Sequence, residues 1–126
     1  MPSPYDKDFA FEILKQILEA LKKIDKRFRP ITSPEEFTDS DIGMEKLDSI
    51  CMQLIVIGES LKNFDKVTSK EVLAKYPEIN WKRVMGMRDI ITHHYFDVDA
   101  EAIFDVCKNH ISKLKKTILN ISKEIL

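Results

Sequence analysis

Glycine and proline are scarce in this chain, at three and five of 126 residues. That leaves little material for the many tight turns of an all-β domain. The longest uncharged apolar run, Leu54 to Ile57, is far too short to cross a membrane. The first residues lack the basic-then-apolar layout of a signal peptide. Cys51 and Cys107 sit within apolar helical patterns and read as buried thiols of a reducing compartment, so a cytoplasmic protein is expected. With three scattered histidines they offer no metal-ligand spacing such as Cys-x-x-Cys, and no metal or other cofactor is expected. An excess of positive charge is also missing. Twenty basic side chains face 21 acidic ones, for a net charge of -1. General nucleic-acid binders are visibly basic, so any RNA contact must come from a local patch.

What is present is 44% hydrophobic and 33% charged, the balance of a helix-rich protein with one core. Ala10, Leu14, Ile17, Leu21, Ile24 and Phe28 form a seam at alternating helical spacing, and Pro30 ends that segment. Ser33-Pro34-Glu35-Glu36 marks a short helical start. Leu47, Ile50, Leu54, Ile57, Leu61 and Phe64 define a second long helix. Gly58 costs that helix roughly 1 kcal/mol relative to alanine, which points to the close approach of another backbone or side chain. Thr68-Ser69-Lys70-Glu71 reads as a capping box opening a short helix closed by Tyr76-Pro77. Asn80 then caps a helix carrying Trp81, Val84, Met85 and Ile91. A last helix begins at Asp97-Val98-Asp99, with Ile103, Cys107, His110, Leu114, Ile118, Ile121 and Ile125 on one face. His110 there reads as a packed histidine. The expectation is a single all-α domain over residues 1–126, an up-and-down bundle of four main helices with short additional helical turns.

The densest chemistry lies in Arg88-Asp-Ile-Ile-Thr-His93-His-Tyr95. Arginine keeps its charge, and its planar fork suits phosphate oxygens. Histidine exchanges a proton near neutral pH. Together they are a minimal kit for cleaving a phosphodiester without a metal. The spacing Arg-x-x-x-x-His-x-Tyr resembles the signature of the HEPN ribonucleases, specifically the HepT toxin branch. Ile57-Gly58-Glu59, Tyr76-Pro77-Glu78-Ile79-Asn80-Trp81 and Gly86-Met87-Arg88 resemble that branch's other landmarks, in the same order over nearly the whole chain.

The resemblance implies an endoribonuclease toxin that acts as a homodimer and works without metal. Arg88 would neutralise the phosphate and His93 would act as general acid or base. It further implies a minimal nucleotidyltransferase antitoxin that transfers AMP onto Tyr95, placing negative charge and bulk beside Arg88. Asp89 matches the polar residue that follows the motif arginine; it orients Arg88 or His93, or is a surface carboxylate. Glu59 is read as a carboxylate holding Arg88 in its reactive rotamer, against the alternative of a weak surface ion pair. Lys82 and Arg83 hold flanking phosphates or form a solvated face. His94 stands where the family often has a small residue. The rival reading is a catalytically silent HEPN-type module that dimerises and binds the nucleotidyltransferase or a nucleotide.

Helical geometry adds a constraint. On a regular helix Tyr95 lies about 20° from Arg88, whereas His93 lies about 140° away. Either the helix bends after Thr92 or two chains complete the site.

Overall fold

Helix α1, Lys7–Phe28, opens where the Asp6 carboxylate accepts the Phe9 N–H at 3.0 Å. In this computed structural model, which describes residues 5–88, 91 and 98–125, Ala10, Ile13, Leu14, Ile17, Leu21 and Ile24 form its buried seam. Helix α2, Asp41–Val67, starts in the same way, with Ser40 Oγ accepting the Gly43 N–H at 3.0 Å. Its seam of Leu47, Ile50, Leu54, Ile57, Leu61 and Phe64 packs along α1. Each such side chain contributes about 1.5–3 kcal/mol by leaving water. These two seams are the ones read from the sequence, because a stripe at alternating three and four can be buried only on a helix.

Between them Pro34–Phe37 forms a single 3-10 turn that drops Phe37 into the core. The turn sits so close to α2 that a Cβ on Gly43 would overlap the Glu36 carbonyl.

The expected capping box at Thr68 does not form. Thr68 instead closes α2, its hydroxyl donating to the Phe64 carbonyl at 2.8 Å. Ser69 and Lys70 follow in the left-handed region, at φ 56° and 61°. Lys70 N–H returns to the Asp65 carbonyl at 2.8 Å, satisfying an orphan acceptor at the helix end. A shorter 3-10 turn, Leu73–Lys75, precedes Tyr76.

Helix α3, Trp81–Met85, is only one turn long and stops at Gly86, so the segment from Trp81 to Ile91 is not one continuous helix. Helical backbone resumes at Met87 and Arg88.

The last predicted helix is two. Helix α4, Ala100–Asn109, is capped by Asp99, whose carboxylate accepts the N–H groups of Glu101 and Ala102. Helix α5, Ile111–Ile125, follows after a break at His110. The break replaces His110 by Ile111 in the buried seam, between Cys107 and Leu114. Burying the isoleucine gains apolar contact, whereas a buried imidazole needs partners. His110 is therefore exposed, with Nε2 3.4 Å from Asp105 Oδ2, and is not the packed histidine that its spacing suggested. The architecture is all-α, with α1, α2, α4 and α5 as the main helices and α3 laid against α2.

Candidate active site

The site is built on α3 and its seat. Asn80 opens α3 by accepting the Arg83 N–H at 3.1 Å. Trp81 Nε1 donates to the Tyr76 carbonyl at 2.9 Å, tying the helix start to the preceding turn. At the other end the α3 backbone lies directly on α2. A Cβ on Gly58 would stand 3.0 Å from the Val84 carbonyl oxygen and 3.4 Å from that of Met85. The close neighbour expected at Gly58 is this pair of carbonyls.

That approach brings Arg88 over the next residue of α2. Arg88 Nη1 donates to Glu59 Oε1 at 2.6 Å, across 29 positions of sequence. Lys62 Nζ stands 4.0 Å from the same oxygen. The Arg88 hydrogen bond, helped by the charge of Lys62, holds the Glu59 carboxyl below its ordinary range. Glu59 is therefore an anion at neutral pH. The side chains of Arg88 and Glu59 are 55% and 38% exposed, so solvent screens the pair and it adds little to stability. Its consequence is positional: one guanidinium edge is fixed while the group as a whole faces solvent.

Lys82 and Arg83, adjacent in sequence, diverge around α3 by its helical turn. Lys82 lines an open groove of about 530 Å³ together with Lys62, Lys70, Trp81 and Gly86. Asp65 also reaches this groove, so three cations face one carboxylate there. Lys62 and Lys70 were not picked out from the sequence. They lie in α2 and just beyond it, and no local pattern links them to Lys82. Arg83 turns instead to a separate cavity on the other flank.

Asp89, His93, His94 and Tyr95 lie outside the described residues, as does the expected bend after Thr92. The Gly86 interruption falls before Arg88 and so does not by itself realign Arg88 with His93. Among the described residues no group of three or more His, Cys, Asp or Glu side chains is arranged to hold a metal ion. None of their helices is long and apolar enough to cross a membrane.

Residues 17–121 match the family model described as "Ribonuclease HepT-like". The chain is 34% identical over 112 residues to a "Gamma-glutamylcyclotransferase and putative RNase" of Methanocaldococcus jannaschii, covering 89% of this chain and 47% of that protein. It therefore spans about half the length of that relative. A "putative RNase" of the same organism is 30% identical over 125 residues, covering 99% of this chain and 93% of its own length. A "probable ribonuclease HepT" of Thermococcus cleftensis is 29% identical over 104 residues, covering 82% and 87%. No solved structure matches the chain. With the family model covering most of the sequence and full-length relatives aligning end to end, the chain belongs to the HepT-like ribonuclease family.

Proposed function

We propose that this protein is the toxin of a toxin–antitoxin pair, an endoribonuclease that cleaves RNA without a metal ion. The observation that carries this reading is the Arg88–Glu59 pair. It holds a permanent cation at the surface, linked through Lys62 to a groove bearing Lys70 and Lys82. Such a groove follows a phosphate backbone, and overall neutrality does not preclude it. Arg88 stabilises the negative charge that grows on the phosphorane. His93 serves as general base or acid. The 2′-oxygen attacks phosphorus and gives up its proton. The 5′-oxygen leaves and takes one, so the product end is a 2′,3′-cyclic phosphate. Glu59 sets the Arg88 rotamer, and Asp89 orients Arg88 or His93.

The active form is a homodimer, in which a second copy supplies the alignment of Arg88 and His93 that one straight helix cannot. Control comes from a minimal nucleotidyltransferase antitoxin. The Tyr95 oxygen attacks the α-phosphorus of ATP, pyrophosphate leaves and the phenolic proton passes to a base. The added AMP then lies beside Arg88 and repels RNA. Both partners and the RNA are encountered in the cytoplasm. One observation favours the silent-module reading: Arg88 is already engaged by Glu59, and an incoming phosphate must share or displace that contact.

Purified protein is tested on a mixed RNA substrate in EDTA, beside Arg88→Ala and His93→Ala. Cutting by the parent alone, with cyclic phosphate ends, is the expected result. No cutting by a dimer whose Tyr95 is unmodified by intact mass would move the assignment to the silent module.

A further inference from the structure

The cavity on the Arg83 flank of α3 is distinct from the lysine groove. It has a volume of about 260 Å³, at the small end for ligand sites. Leu54 and Ile57 of α2, Val84 of α3, Val106 of α4 and Leu114 of α5 form its apolar body. Four helices thus meet there without filling the space. In a packed interior such a gap forfeits dispersion contacts, which a flat apolar ligand would restore.

The rim is polar and charged on one side. Arg83 and Lys113 bring two cationic side chains, against the carboxylate of Glu78 in the lining and that of Asp105 just outside it, which feels the charge of Arg83. The imidazole of His110 stands at the rim too, paired with Asp105. Asn80 adds a carboxamide whose oxygen is used by the Arg83 N–H, so its nitrogen is the donor at this edge. Met87 closes a further wall with a polarisable thioether, one residue from Arg88 in the chain.

We propose that this cavity binds one nucleotide unit of single-stranded RNA, with the base in the apolar cleft and its phosphate at Arg83 and Lys113. The inference rests on the ribonuclease reading and extends it, making the cavity a base-selecting subsite for the RNA that Arg88 engages. A nucleotide matches both halves of the lining, its base the apolar body and its phosphate the cationic rim. Apolar contact of a base with the aliphatic walls and the Met87 thioether is tolerant of sequence. The Asn80 donor adds a preference for a base that offers an acceptor on its edge.

The test uses the full chain, methyl-labelled, titrated at low salt with each of the four ribonucleoside 5′-monophosphates. Inorganic phosphate and decanoate are the controls. The expected result is saturable shifts of the Leu54, Val84, Val106 and Leu114 methyls with at least one nucleotide. The paired variant Arg83→Ala/Lys113→Ala should weaken that binding roughly tenfold or more, through loss of two charge-assisted contacts. Both substituted positions are at the surface, so this variant does not depend on repacking. Val106→Phe, which fills the cleft, should abolish the shifts and raise KM for RNA more than it lowers kcat. No methyl shift with any nucleotide overturns the proposal. So does a response to decanoate alone, which assigns the cavity to an apolar anion. The readout is independent of cleavage, so nucleotide shifts from a protein that cuts no RNA would refute the ribonuclease reading and leave a nucleotide-binding cavity with no role in cleavage.

Discussion

The carbonyl oxygen of Val84 stands 3.0 Å from where a Cβ on Gly58 would be, closer than a side chain there ordinarily allows. This single approach seats α3 on α2 and so determines where Arg88 emerges. Gly58→Ala gains about 1 kcal/mol of helix propensity but sets a methyl against backbone, which cannot swing aside. Overpacking of that kind costs about 1–3 kcal/mol. A net loss of up to about 2 kcal/mol is expected, and Gly58→Val should lose more. Thermal unfolding gives the stability change. RNA cleavage should fall further than stability does, and an alanine variant as stable and as active as the parent would contradict the packing argument.

Glu59→Gln separates positioning from folding. The Arg88–Glu59 pair is substantially solvated, so the unfolding free energy should hardly change. Cleavage should drop about tenfold or more, because a guanidinium that has lost this contact is less well positioned for the transition state. Glu59→Asp, which keeps the charge on a shorter stem, should recover part of that loss. Equal activity of the parent and Glu59→Gln would make the pair an ordinary surface contact.

Acid stability follows from carboxylates held low in the folded state. Arg88 does this to Glu59, and the side-chain hydroxyl and backbone N–H of Thr32 do it to Glu36. The Asn109 amide does the same to Asp105. A carboxyl with a lowered folded pKa stabilises above its unfolded value, about 4.5 for glutamate, and that stability is lost as pH falls through the folded value. Denaturant midpoints should therefore be flat near neutrality with respect to these groups and decline below about pH 4.5. Glu36→Gln should flatten part of the decline. A midpoint that rose on acidification would reverse the predicted sign.

Both thiols should be inert in the native protein. Burial pushes Cys51 up to about 11 and Cys107 up to about 12. The thiolate is the reactive form, so at pH 8 almost none is present. Ellman's reagent should register no rapid native thiol and two after denaturation. Fast native labelling would mean that α2 and α4 open locally far more often than their packing implies.

Asn80 supplies the cap of a helix only five residues long, so that helix has little else to define its start. Asn80→Ala should cost about 1 kcal/mol, and Asn80→Ser much less. Proton-exchange protection at the Arg83 amide should fall in the alanine variant, since that amide loses its acceptor.

Much of the fold was legible because it depends on periodicity. The α1 and α2 seams and the Asn80 and Asp99 caps all follow from local pattern. The failures share a cause. Thr68 to Glu71 has the composition of a capping box, yet the chain there is leaving a helix, with Ser69 and Lys70 left-handed. Cap residues serve either end, and only the packing of α2 decides between them. His110 matched the seam of the last helix until the break let Ile111 take its place.

Sequence by itself determined the helical class, the two long seams, the absence of a membrane-spanning run and the order of motif residues that marks the family. Each rests on residue type and spacing along one segment. Tertiary structure alone decided that Glu59 would meet Arg88 and that Gly58 would be the gap through which α3 approaches. It also sent Lys82 to a groove with Lys62 and Lys70 while Arg83 faces a different cavity. Those contacts join residues far apart in the chain, where no local periodicity connects them and the meeting is set by which helix faces can be buried together.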